Sequence, residues 1–382
     1  MAKPKDSNVR ENVPLYLKFR SLIKESPLMY RLLPSKVLWK PRSFSVGLTT
    51  SCNLKCIMCA RQSNTFKKGC NMSTKTYLNL AKYFKGKDVD FMSLGETLLF
   101  PDLFKFIGIA KSRGARSIRL TTNGVFLTED VSKKLIENQV TSIAVSIDGF
   151  GKGYERVRVG SNFNKVFENI KRLSELKKEY GSEKPYVFIS FLTIKSNVRD
   201  LPKLLALLAP YIDTIGTLHP LNFSKDIADD HLLNGNVKLA EEVFKETMEE
   251  AKKLNVGVML RPLSPIAGGC LEPWAKPYIA YDGTVYPCSI VGANHDIKVI
   301  KEYYEDAEWE VKLKDYAMGN INDEDFLRIW NNRKYRTLRK GLSKIFSKDV
   351  GKRMTEEAYV ELIKKEGKFY CRICPYRFNC AA

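Results

Sequence analysis

The chain has 382 residues, 44% of them hydrophobic, which is enough to fill the cores of one large and one small domain. Its 63 Lys and Arg exceed its 43 Asp and Glu and give a net charge of +20, so anionic partners or surfaces are expected. No run approaches the roughly 18 apolar residues of a membrane span, and no signal-peptide core is visible, which argues against membrane-spanning and secreted proteins.

The nine cysteines indicate the compartment. They stand at spacings typical of metal sites rather than of a disulfide framework, and such thiols indicate a reducing environment. We therefore expect a cytoplasmic protein, with peripheral contact at a membrane as a further option. No nucleic-acid-binding module is evident, so nucleic acid is not expected as a partner.

Residues 1–43 form a basic N-terminal extension with ten Lys or Arg and three Asp or Glu. From Leu15 to Trp39, apolar and aromatic residues are mixed with basic ones. Such a segment either forms solvated helices that cover the next domain, or lies on an anionic membrane surface or an acidic partner. A second basic stretch, residues 333–353, has nine basic residues and one acidic residue.

A strand predicted over residues 44–49 leads into a loop that carries Cys52, Cys56 and Cys59. A 4Fe–4S cluster is normally held by four cysteines, so a C-x3-C-x2-C loop holds three irons and leaves the fourth open. An open metal position is where a substrate or cofactor binds. The alternative is a zinc site or three buried thiols, although zinc motifs usually consist of C-x2-C pairs.

Strand-like and helical runs then alternate along the chain. The predicted strands lie near 44–49, 89–94, 117–121, 141–147, 186–193 and 212–218. The predicted helices lie near 74–85, 101–113, 128–138, 163–179 and 198–209, with Ser73 and Thr128 as N-caps. This alternation predicts parallel strands with right-handed crossovers, hence an α/β fold in which six βα units form a partial barrel with its site at the carboxyl ends of the strands.

Polar segments stand at the ends of three of these strands. Gly95 and Glu96 follow the second strand, Thr122 and Asn123 end the third, and Ser146-Ile147-Asp148 ends the fourth. An Asn-Gly or Asp-Gly step alone is only a turn signal. Together with the cysteine loop, however, these segments predict one site at one end of the barrel.

The cysteine loop and these segments resemble the signature of the radical S-adenosylmethionine (radical SAM) superfamily. The resemblance implies that Cys52, Cys56 and Cys59 bind a 4Fe–4S cluster whose open iron chelates SAM. One electron from the reduced cluster then cleaves SAM to a 5′-deoxyadenosyl radical. The protein supplies orientation and shielding for this cofactor chemistry.

The resemblance also implies roles for the cofactor-binding residues. Gly95 and Glu96 match the family's GGEP motif, whose acidic residue binds the SAM amino group, whereas Leu94 and Thr97 depart from it. Met58 stands where the family often has an aromatic residue, and its thioether is polarizable enough to pack on adenine. The remaining residues assigned to the SAM site are Thr122, Asn123, Ser146 and Asp148.

A second set of cysteines follows the barrel: Cys270, Cys288, Cys371, Cys374 and Cys380. With Gly283 they form the pattern C-x12-G-x4-C … C-x2-C-x5-C, which resembles the SPASM or twitch extension of radical SAM enzymes. The resemblance implies a small α+β domain with auxiliary 4Fe–4S clusters and a β-hairpin turning at Asp282-Gly283. Structural buried cysteines are the alternative.

The cysteine count sets the expected cluster number. Five cysteines ligate one cluster fully but not two, so we expect one auxiliary cluster, with a second, incompletely held one as an alternative. Its expected ligands are Cys270, Cys288, Cys371 and Cys374, with Cys380 as the spare, and a non-cysteine fourth ligand stays open. The expected domains are 1–43, the barrel at 44–235, and a linker helix with the SPASM/twitch-like domain at 236–382.

Three functions follow as hypotheses. The favoured one is a radical SAM oxidoreductase, similar to aminocyclitol dehydrogenases and anaerobic sulfatase-maturating enzymes, whose auxiliary cluster transfers an electron or binds substrate. The second is a peptide maturase or an epimerase, for which Cys70 or Cys380 is a candidate hydrogen donor; Cys70 is otherwise structural. The third is a non-catalytic iron–sulfur electron carrier.

Partners are inferred from the family resemblance and from the charge. The family resemblance implies a reducing donor such as ferredoxin or flavodoxin. The basic charge favours an anionic small molecule or a lipid headgroup as substrate, with a peptide as the alternative. Arg156, Arg158 and His219 follow the fourth and sixth predicted strands and are candidates to face the substrate.

Overall fold

A computed structural model describes the chain over residues 32–349. It leaves out 63–65, 221–224, 231–235, 262, 264–269, 295–299, 305–306 and 312. Most of the basic extension and the cysteines Cys371, Cys374 and Cys380 therefore lie outside the described residues.

Twelve strands are described. In chain order they are β1 (Ser43–Val46), β2 (Asp88–Phe91), β3 (Ser117–Thr122), β4 (Ser142–Ser146), β5 (Tyr186–Leu192), β6 (Thr214–Leu218), β7 (Gly257–Met259), β8 (Tyr278–Ile279), β9 (Thr284–Tyr286), β10 (Ile300–Tyr304), β11 (Ala307–Val311) and β12 (Gly319–Asn320). All six strands expected from the sequence are present.

The described helices alternate with the barrel strands and then cover the C-terminal region. They are α1 (Thr74–Ala81), α2 (Leu103–Ser112), α3 (Glu129–Glu137), α4 (Lys152–Val157), α5 (Phe163–Glu179), α6 (Leu201–Leu208), α7 (Lys225–Asp229), α8 (Val237–Leu254), α9 (Glu272–Ala275), α10 (Ser289–Ala293), α11 (Phe326–Trp330) and α12 (Arg333–Asp349). The two predicted N-caps are confirmed: the hydroxyl of Ser73 accepts from Thr76 N–H, and that of Thr128 accepts from Val131 N–H.

One sheet carries the fold. Strands β1 to β7 lie side by side in chain order, each parallel to the next, which confirms the predicted α/β fold. Strand β7 extends the six predicted strands by one. On the other edge, β8 pairs parallel to β1, and β9 and β12 continue antiparallel. Strands β10 and β11 form a separate antiparallel pair.

The two faces of the parallel strands differ in burial. On β3, Ile118 and Leu120 are buried against the helices, whereas Arg119 and Thr121 are half-buried on the opposite face. The side chains of β4 alternate in the same way. This period of two is that of a strand with one face in the core, and it leaves the inner face of the barrel as an incompletely filled lumen.

The hairpin of β8 and β9 turns at Asp282-Gly283, as the sequence predicts. Gly283 has φ +88°, and a Cβ there would lie 2.6–2.7 Å from side-chain atoms of Asn320 and Asn322. Glycine meets both demands because it has no Cβ and tolerates positive φ. The same two asparagines donate to the Asp282 carbonyl and hold the turn closed.

Arg339 on α12 joins the N-terminal and C-terminal regions. It is fully buried, and its guanidinium packs on the rings of both Trp330 and Tyr335, at 4.2 and 4.4 Å from their centroids. It donates to the carbonyls of Pro273 and Trp330, both at 2.8 Å, and to Ser35 at 3.3 Å. These contacts fasten the segment before β1 onto the basic helix.

Within the described ranges, no helix is both long enough and apolar enough to cross a lipid bilayer.

Candidate metal and cofactor site

A cavity of about 230 Å³ lies at the carboxyl ends of β1 to β4. Its described lining contains most of the site residues expected from the sequence and joins residues that are up to 106 positions apart. The lining residues are Cys52, Leu54, Cys56, Met58, Cys59, Ser93, Leu94, Gly95, Glu96, Thr121, Thr122, Asn123, Ser146 and Arg158. The parallel topology therefore brings the cysteine loop and the polar strand ends together, as predicted.

Backbone hydrogen bonds set the conformation of the cysteine loop. Cys59 N–H donates to the Cys56 carbonyl at 3.1 Å, and Leu54 N–H donates to the Cys52 sulfur at 3.5 Å. Ile57 N–H donates to the carbonyl of Val157, the last residue of α4, at 3.0 Å, and Lys55 N–H donates to that of Val159, just after the helix, at 2.9 Å. The loop is thus tied to the body of the barrel between its cysteines, which presents the three sulfurs on one wall of the cavity.

The thiols are free; Cys56 is buried, and Cys52 and Cys59 are half-buried. Burial raises the pKa of Cys56 to about 12 and also raises the pKa values of Cys52 and Cys59, while the Arg158 guanidinium acts in the opposite direction. Such thiols stay protonated at neutral pH unless a bound metal displaces their protons.

The cysteine loop offers sulfur donors to a metal group. Cys52, Cys56 and Cys59 stand on one loop and line one cavity. Structural zinc sites are closed by four protein ligands, whereas a cubane takes its cysteine thiolates on separate irons, so three thiolates leave one iron open. The donor set at Cys52, Cys56 and Cys59 fits a 4Fe–4S cluster with one open iron.

Glu96 joins the loops after β2 and β3. Its carboxylate is buried and accepts from the Thr122 hydroxyl at 2.6 Å, Asn123 N–H at 2.7 Å and Leu98 N–H at 3.0 Å. Burial raises its pKa, and these three hydrogen bonds oppose that shift. Glu96 thus organises the rim of the cavity as well as lining it.

Gly95 allows this rim to close. A Cβ at Gly95 would lie 2.2 Å from the Thr49 carbonyl oxygen and 2.8 Å from that of Ser51. Those atoms are backbone and cannot move aside, while Glu96 N–H donates to the Ser51 carbonyl at 2.7 Å. The glycine is required because the chain after β2 passes directly against the chain that leads into the cysteine loop.

Asp148 and Arg158 form a buried ion pair with unequal access to the cavity. Arg158 Nε lies 2.7 Å from Asp148 Oδ2, and Asp148 Oδ1 accepts from Leu192 N–H at 2.7 Å. Asp148 is fully buried, whereas Arg158 lines the cavity. The carboxylate assigned from the sequence therefore contacts the guanidinium, and the guanidinium faces the site.

The other two side chains suggested from the sequence lie elsewhere. Arg156 is exposed on α4, and His219 is buried with its Nδ1 at 3.3 Å from the Thr193 hydroxyl. Neither belongs to the described lining of the cavity. Cys70 is also outside it, with its sulfur at 3.8 Å from the Lys68 carbonyl.

Two of the five expected auxiliary ligands are described. Cys270 precedes α9, and Cys288 precedes α10, directly after the β8–β9 hairpin; both are partly exposed. Nearby, burial raises the pKa of Tyr335, with Cys288 and Glu272 adding to the shift. The β-hairpin thus presents one candidate ligand beside the buried Tyr335.

Two family models match the chain. The model described as "Radical SAM superfamily" matches residues 46–208. The model described as "Iron-sulfur cluster-binding domain", SPASM, matches residues 270–375. The first spans the cysteine loop and strands β2 to β5, and the second spans four of the five C-terminal cysteines.

Curated proteins and solved structures show similarity over most of the chain. The tungsten-containing aldehyde ferredoxin oxidoreductase cofactor-modifying protein of Pyrococcus furiosus is 24% identical over 75% of this chain and 80% of its own. The GTP 3′,8-cyclase of Aquifex aeolicus is 28% identical over 71% and 90%. The crystal structure of Streptococcus suis SuiB bound to the precursor peptide SuiA has a TM-score of 0.61 at 14% identity, covering 98% and 84%.

Proposed function

We propose, on the premise that this chain belongs to the radical SAM superfamily and carries a SPASM iron–sulfur domain, that it is an oxidoreductase that abstracts a hydrogen atom from its substrate. The observation that carries the proposal is the common cavity of Cys52, Cys56, Cys59, Glu96 and Arg158. A 4Fe–4S cluster on these three cysteines supplies reductive cleavage of SAM to a 5′-deoxyadenosyl radical.

The residues around the cavity have distinct proposed roles. Arg158, held by Asp148 at 2.7 Å, presents a cation to the carboxylate of SAM. Glu96 keeps acceptor capacity beyond its three hydrogen bonds, since an ionised carboxylate has about four lone-pair sites, and it receives the SAM amino group. Leu54, Leu94 and Met58 supply an apolar wall that excludes water and packs on adenine; the remaining SAM contacts are Gly95, Thr122, Asn123 and Ser146.

The C-terminal cysteines have a proposed role as a second metal site. Cys270, Cys288, Cys371 and Cys374 hold one auxiliary 4Fe–4S cluster, with Cys380 as the alternate ligand. That cluster supplies an acceptor for the second electron when the substrate is oxidised. The SPASM match over residues 270–375 supports this assignment.

The substrate class is proposed as an anionic small molecule. The net charge of +20 supports it, and one relative is a GTP 3′,8-cyclase. A peptide is the second candidate, because SuiB, which has this fold, was crystallised with a precursor peptide. Competition experiments with short acidic peptides against nucleotides would separate the two.

The test uses protein reconstituted with iron and sulfide without oxygen. We expect about eight irons per chain, four for each cluster, and 5′-deoxyadenosine after SAM and dithionite are added. Cleavage with about four irons would remove the auxiliary cluster and with it the electron-acceptor role. Iron without any SAM cleavage would favour an electron carrier. Electron transfer between this protein and a ferredoxin or flavodoxin would then be measured to check that function.

We also propose peripheral contact with an anionic lipid surface through the segment before β1. Leu38 is 90% exposed and Trp39 47% exposed, while the indole N–H of Trp39 is held by the Trp274 carbonyl at 3.2 Å. Lys36 and Lys40 flank them on the exposed side. Apolar anchors beside cations are typical of interfacial segments.

Replacing Leu38 and Trp39 together by Glu should lower binding to vesicles of anionic phosphatidylglycerol by about tenfold or more, because burial of each side chain is worth about 1.5–3 kcal/mol. Co-sedimentation measures the bound fraction. Leu78→Glu, at a 40% exposed position on α1, is the matched control. Equal sedimentation of wild type and double variant would contradict the proposal.

A further inference from the structure

A layer of polar and charged side chains crosses the barrel below the cavity of the three cysteines. We call that cavity the SAM-type or upper cavity, and we call the layer the floor. The sheet register places Ser45 beside Asp90, Asp90 beside Arg119, Arg119 beside Ser142, and Ser142 beside Tyr186. Residues in register on adjacent parallel strands form one layer across a barrel. In full barrels such layers are filled mainly by bulky branched residues, whereas this layer consists of charged, hydroxyl and phenol groups.

The charges of the floor do not cancel. Arg119 Nε lies 2.5 Å from Asp90 Oδ1, and Lys276 Nζ lies 2.6 Å from Asp90 Oδ2. Two cations thus share one carboxylate, and that carboxylate is buried while the Arg119 side chain is 43% exposed. Asp88 is a second carboxylate of the cluster, 4.0 Å from Arg119 and 2.6 Å from Arg116, and the added Asp88–Arg116 pair is neutral. With three cations and two carboxylates, the cluster keeps a net charge of +1.

A cavity of about 340 Å³ opens onto this cluster. Asp90, Arg119 and Lys276 line it together with Ser142 and Tyr186. A molecule in this cavity would therefore contact the charged layer directly.

The lower cavity adjoins the SAM-type cavity. Thr121 lines both, and Met92 of the lower cavity is followed in the chain by Ser93 of the upper one. The inner face of β4 carries only the small residues Ser142, Ala144 and Ser146, so this wall leaves the lumen open between the two levels.

We propose that the lower cavity binds the phosphoryl or carboxylate group of an elongated substrate whose reacting carbon lies in the upper cavity. The inference rests on the proposed function and specifies its substrate class. Arg119 has five N–H donors and Lys276 three, and their contacts with Asp90 and Asp88 use only some of them. An oxyanion is held by the rest, through charge-assisted hydrogen bonds.

Lys276 connects the proposed anion site to the segment matched by the SPASM model. It precedes β8 and lies in the segment matched by the SPASM model, whereas Asp90 and Arg119 belong to the barrel strands β2 and β3. A bound anion therefore contacts the barrel and the iron–sulfur domain at once, which orients the substrate between the two proposed metal sites.

Equilibrium dialysis of the cluster-loaded protein against inorganic phosphate or succinate, at about 0.15 M salt to screen surface charge, tests the proposal. We expect at least one of the two probes to bind with a stoichiometry of one per chain. The probe with the lower Kd shows whether the site takes a phosphoryl or a carboxylate group. In Arg119→Gln and in Lys276→Gln the Kd should rise about tenfold, the loss expected for a charge-assisted hydrogen bond. Arg172→Gln, the same change on the outer helix α5, should leave Kd unchanged.

In a fourth variant, the direction in which the Kd of the probe changes distinguishes a binding role from a structural one. Asp90→Asn removes the competing carboxylate and frees both cations, so the Kd of the probe should fall about tenfold. A purely structural cluster would instead weaken binding in all three floor variants. That result, equal Kd values in every variant, or absence of binding by the wild type would overturn the proposal.

The SAM affinity of the same samples keeps the two proposals apart. Normal SAM binding without probe binding would overturn only the substrate inference. Probe binding that follows the expected pattern, in a protein that neither binds nor cleaves SAM, would overturn the proposed function and leave an anion site without a reaction.

Discussion

Replacing Cys52, Cys56 and Cys59 together by Ala is expected to abolish SAM cleavage, by about 10³-fold or more, and to remove about four irons per chain. The three sulfurs share one wall of the cavity and act as a unit, so any one substitution should cost nearly as much as all three. The remaining iron, about four per chain on the stoichiometry of one cubane, reports the auxiliary cluster. Iron analysis and 5′-deoxyadenosine measured by chromatography give both readouts.

Cys70→Ala provides the matched control. Cys70 lies outside the described lining of the cavity, and its sulfur is within 3.8 Å of the Lys68 carbonyl. This variant should keep both its iron and its cleavage rate. Loss of all iron in the triple variant would show that the two sets of cysteines do not form separate sites, and retained cleavage would place the reactive cluster elsewhere.

Glu96→Gln is expected to weaken SAM binding by about tenfold to a hundredfold and to destabilise the protein by about 2–4 kcal/mol, since each hydrogen bond to a charged partner contributes about 1.5–3 kcal/mol. The buried carboxylate accepts from Thr122, Asn123 and Leu98. An amide NH₂ group cannot accept a hydrogen bond and would face at least one of these donors. Isothermal titration of SAM and thermal unfolding of the cluster-free protein measure the two effects.

Thr122→Val measures how much of the SAM affinity depends on the hydroxyl beside Glu96. It removes the 2.6 Å hydrogen bond to Glu96, the acceptor for Gly124 N–H and the proposed contact of Thr122 itself with SAM, but it keeps the carboxylate, so its SAM affinity should fall less than that of Glu96→Gln. Equal losses would mean that the Glu96 carboxylate adds nothing to SAM binding beyond the Thr122 hydroxyl. An unchanged SAM affinity in Glu96→Gln would mean that the partial GGEP match, with Leu94 and Thr97, was misread.

Much of the fold could be predicted because its signals are local. Ser73 and Thr128 mark helix starts by hydrogen bonds to residues three positions away, and alternation of buried residues marks β3 and β4. The cysteine loop carries its spacing within eight residues. Parallel topology then follows from strand–helix alternation, and it places the strand ends together.

Other features depend on contacts between segments that are distant in sequence. Asp148 belongs to the Ser146-Ile147-Asp148 segment that the sequence assigned to the SAM site, yet Arg158 is the member of the pair that faces the cavity. Nothing in the local pattern says which of two opposite charges is covered by Leu192 on the neighbouring strand. Strand β7 was also missed, because three residues give too short a pattern to separate a strand from a loop.

Short spacings such as Cys52-x3-Cys56-x2-Cys59 were enough to predict a radical SAM site at the carboxyl ends of the strands, because such a site depends on residue types close together in the sequence. The charged layer beneath that site depends on tertiary contacts. Asp90, Arg119 and Lys276 are separated by up to 186 positions, and they meet because parallel register aligns two strands while the SPASM segment closes on the barrel. Side-chain position across a sheet is set by pairing and burial of the whole layer, and no local pattern encodes it.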